Sequence, residues 1–123
     1  MSMHSERNAW AFAPRSFATS PAEFGRSKAP FQSNSVTGAE MARLRSAQLQ
    51  HAVAFAVKQA LAGSSLKTYV ESQPPTAGLS YVRLSRMIRG EVQMQIADLI
   101  ELASRFTEVR TVMTDPKWFG TQE

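Results

Sequence analysis

From Met41 onward the residues suited to burial recur at helical spacing. Met41, Leu44, Gln48, Ala52, Phe55/Ala56 and Ala60 repeat at intervals of three and four within "MARLRSAQLQHAVAFAVKQALA", which contains no glycine or proline. The second half of this segment, with Val53, Val57 and Leu61, is apolar enough to be largely buried; the first half, with Arg43 and Arg45, reads as exposed. "TGAE", Thr37 to Glu40, has the form of a capping box, so a helix is predicted to start there and to stop at Gly63. Ser64 and Ser65 can cap a second helix, "LKTYVESQ", with Leu66, Tyr69 and Val70 inward, which Pro74 and Pro75 must end. Ser80 offers the N-cap of a third, Tyr81 to Arg89, ended by Gly90. A fourth follows as "QMQIADLIELASRF", where Ile96, Leu99, Ile100, Ala103 and Phe106 form a one-sided stripe. "TEVRTVMTDPKWFG" fits a short helix or an extended segment, and Trp118-Phe119 serves either to pack back on the core or as a dimer contact.

Residues 1 to 36 show no such periodicity. Prolines at 14, 21 and 30 interrupt any helix, and the reading is a disordered arm. It carries Trp10, Phe12, Phe17, Phe24 and Phe31, the last three spaced by seven, which fits chance spacing in a solvated tail or a linear motif docking into a partner's groove. The predicted organisation is therefore an arm over 1–36, a helical domain over 37–107 and an extension over 108–123.

Composition narrows the chemistry. A chain of 123 residues supports one core. It has no cysteine, which removes disulfides, thiolate metal sites and thiol catalysis. Two histidines, His4 and His51, leave few candidates for base or metal ligand; there is no Gly-rich phosphate loop, and no enzyme, cofactor or metal site is expected. His51 reads as a satisfied or exposed imidazole. "AVAFAV", Ala52 to Val57, is far shorter than the roughly 20 residues of a membrane span, and the N-terminus lacks a secretory apolar run, so a cytoplasmic location is expected. The net charge is +4, and its sign varies: 1–38 carries four basic and two acidic residues, 39–62 three and one, 63–91 four and two, 92–123 three and five. The basic excess favours polyanions.

On a helix starting at Tyr81, Leu84, Met87 and Ile88 share one face, while Arg83, Arg86 and Arg89 occupy a neighbouring strip with only a solvated Glu91 close by. Like charges at that spacing repel, so the arrangement gains nothing in an isolated helix; a polyphosphate opposite it reverses the sign. A small helical bundle with a merely solvated arginine helix explains the apolar periodicity equally well, but not the concentration of arginine.

The stretch "LSYVRLSRMIRGE", Leu79 to Glu91, followed by "IADLIELASRF", resembles the recognition segment and next helix of the Cro and phage-repressor (XRE-type) family of lambda-repressor-like helix-turn-helix proteins. The resemblance spans about Ala52 to Phe106. It implies an all-α fold of four to five helices, binding to double-stranded DNA, and a transcriptional regulator, of repressor type, associated with the nucleoid. Carried over by position, Ser80 would cap the recognition helix and touch a phosphate; Tyr81, Val82 and Arg86 would face base edges; Arg83, Ser85 and Arg89 would make mixed contacts; Ser65 and Lys67 would meet the backbone. Arg7, Arg15, Arg26 and Lys28 of the arm would follow the backbone or enter a minor groove. The segment departs from the family in two places. The turn before Leu79 is about four residues longer than a helix-turn-helix normally allows, so "QPPTAG" must loop out. The segment after Phe106 matches the family's fifth helix poorly, which puts the usual homodimer in question. The other functional reading is an antitoxin-like or polymerase-binding adaptor that uses the aromatic arm or the "DPKWFG" tail.

Overall fold

The computed structural model describes residues 12–26, 31 and 38–119. Among these are five α-helices: α1 (Ala39–Leu61), α2 (Leu66–Glu71), α3 (Tyr81–Ile88), α4 (Ile96–Arg105) and α5 (Thr107–Met113). Four 3-10 turns, Pro14–Phe17, Pro21–Glu23, Pro75–Ala77 and Pro116–Phe119, each begin with proline, whose fixed φ suits a helical first position and whose missing N–H costs nothing there. The only strand-like pairing among the described residues is one isolated bridge, Ala18 to Phe31, so the fold is all-α.

The long helix α1 is the centre of the core. Its buried residues are Leu44, Ala47, Gln50, His51, Val53, Ala54, Ala56 and Val57, an arc wider than one stripe because α5, α3 and the N-terminal segment pack around it. This corrects the expected register. Gln48 and Ala52 are only half-buried, and the first half of the helix is not exposed, since Leu44 and Ala47 are sealed. The N-cap is Gly38, with no side-chain cap; Thr37, and with it the expected capping box, lies outside the described residues. In α2, Leu66, Tyr69 and Val70 pack against the core as expected. The long connection to α3 is taken up by the Pro75–Ala77 turn, ended by Gly78 in the left-handed region.

In α4 the expected stripe is rotated. Ile96 and Ile100 are 75% and 58% exposed, and the inward face is Leu99, Leu102, Ala103 and Phe106. Arg105 locks this helix to α2 by donating to the Tyr69 hydroxyl at 3.2 Å and to Gln73 Oε1 at 3.0 Å. The segment after Phe106 is helical, and its Val109 is fully buried. Packing therefore runs across the boundary anticipated after residue 107, because α5 lies along α1.

The largest correction concerns the arm. Residues 12–26 are not a disordered tail but a strap folded over α1 and the turn after α3. Pro14 and Phe24 are buried, and Arg15 N–H donates to the Gly90 carbonyl at 3.0 Å. Gly25 N–H donates to His51 Nδ1 at 2.8 Å, so the expected satisfied imidazole is the anchor of the strap. The rings of Phe24, Phe31 and His51 meet edge to face, at centroid separations of 6.2, 5.3 and 5.4 Å. Phe24 and Phe31 thus serve an internal anchor, while Phe17 meets Phe12: aromatic surface that a solvated tail would leave wet is removed from water. Arg7, Lys28, Trp10 and His4 lie outside the described residues.

Candidate nucleic-acid interface

Helix α3 begins where Ser80 Oγ accepts from the Arg83 backbone N–H at 3.2 Å, and α2 begins where Ser65 Oγ accepts from Thr68 N–H at 3.0 Å. Both serines cap their helices as expected. The inner side of α3 is Leu84, Met87 and Ile88. Its outer side presents Tyr81 at 40% and Val82 at 63% exposure, with the arginines beside them.

The arginines are not equally free. Arg83 holds Asp98 of α4 through two hydrogen bonds, Nη1 to Oδ1 and Nη2 to Oδ2, the second at 2.8 Å. Arg89 Nε donates to Glu91 at 2.8 Å, and Arg89 Nη1 to Ser85 Oγ at 2.7 Å. Arg86 lies 3.9 Å from Glu91 and makes the loosest of these contacts. Glu91 is therefore not a solvated bystander: Arg15, at 3.7 Å, joins Arg86 and Arg89 around it. All three guanidiniums expected to face outward unpaired have a carboxylate partner: Arg83 and Arg89 are held by hydrogen bonds, Arg86 only by the loose 3.9 Å contact. Ser85, expected on the contacting strip, is buried and spent on Arg89.

Protonation equilibria agree with this geometry. The hydrogen bond to Asp98, which outweighs the desolvation, raises the Arg83 pKa, and the bond to Glu91 does the same for Arg89. The Glu91 carboxyl sits below its usual range, first because of the Arg89 hydrogen bond and then because of nearby arginine charge. For Asp98, burial opposes ionisation, yet hydrogen bonds from Arg83 and the Gln95 backbone N–H, with the Arg83 charge, lower its pKa. A carboxyl with a lowered folded-state pKa contributes stability above its unfolded value, about 4, and loses that contribution as pH falls through the folded value. Asp98→Asn is accordingly expected to lie below wild type in stability at neutral pH, the gap closing on acidification below about pH 4; urea midpoints measured across that range check it, and a pH-independent gap excludes the ion pair as its source.

Several hollows flank α3, and two of them gather its outward residues. One, of about 410 Å³, brings together Ser65, Tyr81, Ser85 and Arg89 with Lys58 of α1. The other, of about 680 Å³, gathers Ser80, Val82, Arg83 and Arg86. Lys67 is exposed on α2 and lines neither. A further hollow of about 350 Å³ is lined by Arg15 and Arg26 of the strap together with Lys58 and Arg89, with no carboxylate in its lining. The strap thereby extends the basic surface past the end of α3.

Sequence reasoning missed the residue that fixes this end of the helix. Gln50, 3% exposed, donates Nε2 to the carbonyls of Met87 at 2.9 Å and Val92 at 2.8 Å, while its Oε1 accepts from Met94 N–H at 2.7 Å. A glutamine on a helix reads as a surface residue, and no spacing distinguishes one that clamps a distant turn. Lys58 and Asp98 were also unremarkable in sequence, as an isolated charge gives no sign of its partner.

No helix among the described residues is long and apolar enough to cross a membrane, and no group of three or more potential metal-binding side chains occurs among them. No protein-family model, no curated protein and no solved structure matches the chain.

Proposed function

We propose that the protein is a sequence-specific double-stranded DNA-binding transcriptional regulator, of repressor type, that reads the major groove with α3. The observation carrying this reading is the two-sidedness of α3. Leu84, Met87 and Ile88 fasten it to the core, leaving Tyr81, Val82 and Arg86 outward beside the capping Ser80. A helix about 10–12 Å across fits a major groove about 12 Å wide. There Arg86 meets a guanine edge, Val82 a thymine methyl, and Tyr81 a base or phosphate. Arg83 acts first as a strut between α3 and α4, and Arg89 as part of the cluster around Glu91. Both supply positive field, and phosphate oxygens can compete for exposed pairs of this kind. The cations Arg15, Arg26, Lys58 and Arg89 extend the surface along the backbone. The lambda-repressor-like assignment, a homodimer on a palindromic site and a nucleoid location in the cytoplasm belong to the same proposal, and rest on the resemblance of Leu79 to Glu91 and of the helix that follows.

Titration against the chain's own upstream DNA and against random duplex, at several salt concentrations, tests the proposal. Wild type should prefer one site and weaken steeply with salt. Arg86→Ala should relax the preference at one base pair by about 1–3 kcal/mol, and Lys67→Ala should weaken all sequences alike, with a salt slope lower by about one. Binding by both variants that equals wild type would sink the reading. The adaptor reading loses part of its basis, because Phe24 of the aromatic arm is spent in the protein's own core.

A further inference from the structure

One hollow, of about 410 Å³, lies apart from α3, where α1 meets Phe31 and the Pro116–Phe119 turn. Its volume is within the range of small-molecule sites, about 300–1,000 Å³, and its lining has the usual make-up of such sites, aromatic surface with a few convergent polar groups. Phe31, His51 and Trp118 supply the aromatic surface. Arg45 and Lys117 supply two cations from different elements, and Gln48 an amide. Lys117 Nζ lies a loose 3.9 Å from the Asp115 carboxylate and 5.1 Å from the centroid of the Trp118 ring. The indole N–H of Trp118 is buried without an acceptor.

The geometry points to a binding site for a small aromatic carboxylate, its ring among Phe31, His51 and Trp118 and its carboxylate between Arg45 and Lys117. Ring packing supplies the apolar contact, and the charge-assisted hydrogen bonds orient the molecule. The hollows described above lack this combination: those beside α3 belong to the interface already described, and the one lined by Arg15, Arg26, Lys58 and Arg89 has a single aromatic ring, Phe24. The site stands independently of the DNA-binding proposal. Because His51 also holds Gly25, an occupant touches the residue that anchors the strap.

The test uses the full chain with Trp10→Phe, so that the ¹⁵N-labelled indole resonance reports Trp118 alone. Titration with 3-phenylpropionate should shift that resonance saturably. The neutral methyl ester should bind about tenfold more weakly, as should the acid to Arg45→Ala or Lys117→Ala. Ala52→Leu, which adds bulk to the lining while the chain stays folded, should abolish the shift. No saturable shift up to about 10 mM overturns the proposal. So does equal binding of acid and ester, or a shift indifferent to Arg45→Ala, Lys117→Ala and Ala52→Leu together. Capture of an acidic aromatic peptide where the free acid is silent overturns it in favour of a protein partner.

Discussion

Gln50→Leu is expected to lower the free energy of unfolding by about 3 kcal/mol, read as a fall in urea midpoint with unchanged denaturant slope. Leucine matches the bulk of the amide but leaves the carbonyl of Val92 and the N–H of Met94 without their partner, and the carbonyl of Met87 with the Gly90 N–H alone. A buried polar group deprived of its hydrogen bond costs about 1–3 kcal/mol, and the three lie on one turn, so their losses are coupled rather than additive. Gln50→Glu sharpens the test. Its carboxylate faces two carbonyl oxygens, so the folded state raises its pKa above the unfolded value of about 4.3. Between those values the folded state holds the extra proton, so the variant should lose stability as pH rises and recover part of it in acid, where the neutral carboxyl donates one O–H. A loss below about 1 kcal/mol for Gln50→Leu would remove Gln50 as the clamp.

Gly25→Ala should cost about 2–4 kcal/mol and release the strap. Two effects combine at this position. Its φ is +76°, where any Cβ is strained, and that Cβ would lie 2.7 Å from the Ile88 carbonyl oxygen and 3.0 Å from Ala54 Cβ. The carbonyl is backbone and cannot swing away. Gly63→Ala isolates the strain, because φ there is +94° and nothing lies within 4 Å of the added carbon; it should cost only about 1 kcal/mol. Limited proteolysis separates release from global unfolding: cleavage within residues 12–26 of Gly25→Ala, with the helical core intact, is the expected pattern, and protection equal to wild type would disprove the anchoring role. Gly90 receives the strap from the other side. A Cβ there would come within 2.7 Å of the Phe24 ring, so the glycine that ends α3 is also the one that lets Phe24 in.

The local signals of the helices carried through. Ser65 and Ser80 cap as their positions suggested, because an N-cap is decided within four residues. The buried face of α3, Leu84, Met87 and Ile88, was legible for the same reason, whereas the outward position of Tyr81, Val82 and Arg86 was expected from the resemblance. For α4 the stripe was misjudged at Ile96 and Ile100, since periodicity locates an apolar arc but not which edge of it a neighbour covers. In the strap, Pro14 and Pro21 masked the order of the segment. Proline forbids long helix but favours the short turns that place Phe24 in the core.

By itself the sequence determined an all-α chain and the start and inner face of α3, each a matter of neighbours three or four positions apart, and by composition a basic excess through residue 91. Only the tertiary structure decided which cations are held by carboxylates, because Asp98 lies 15 positions from Arg83 in the chain. It alone placed Gln50 against a turn 37 to 44 positions away, and Gly25 against His51. Hydrogen bonds over such separations follow from how the helices pack, and no local pattern of residues records that packing.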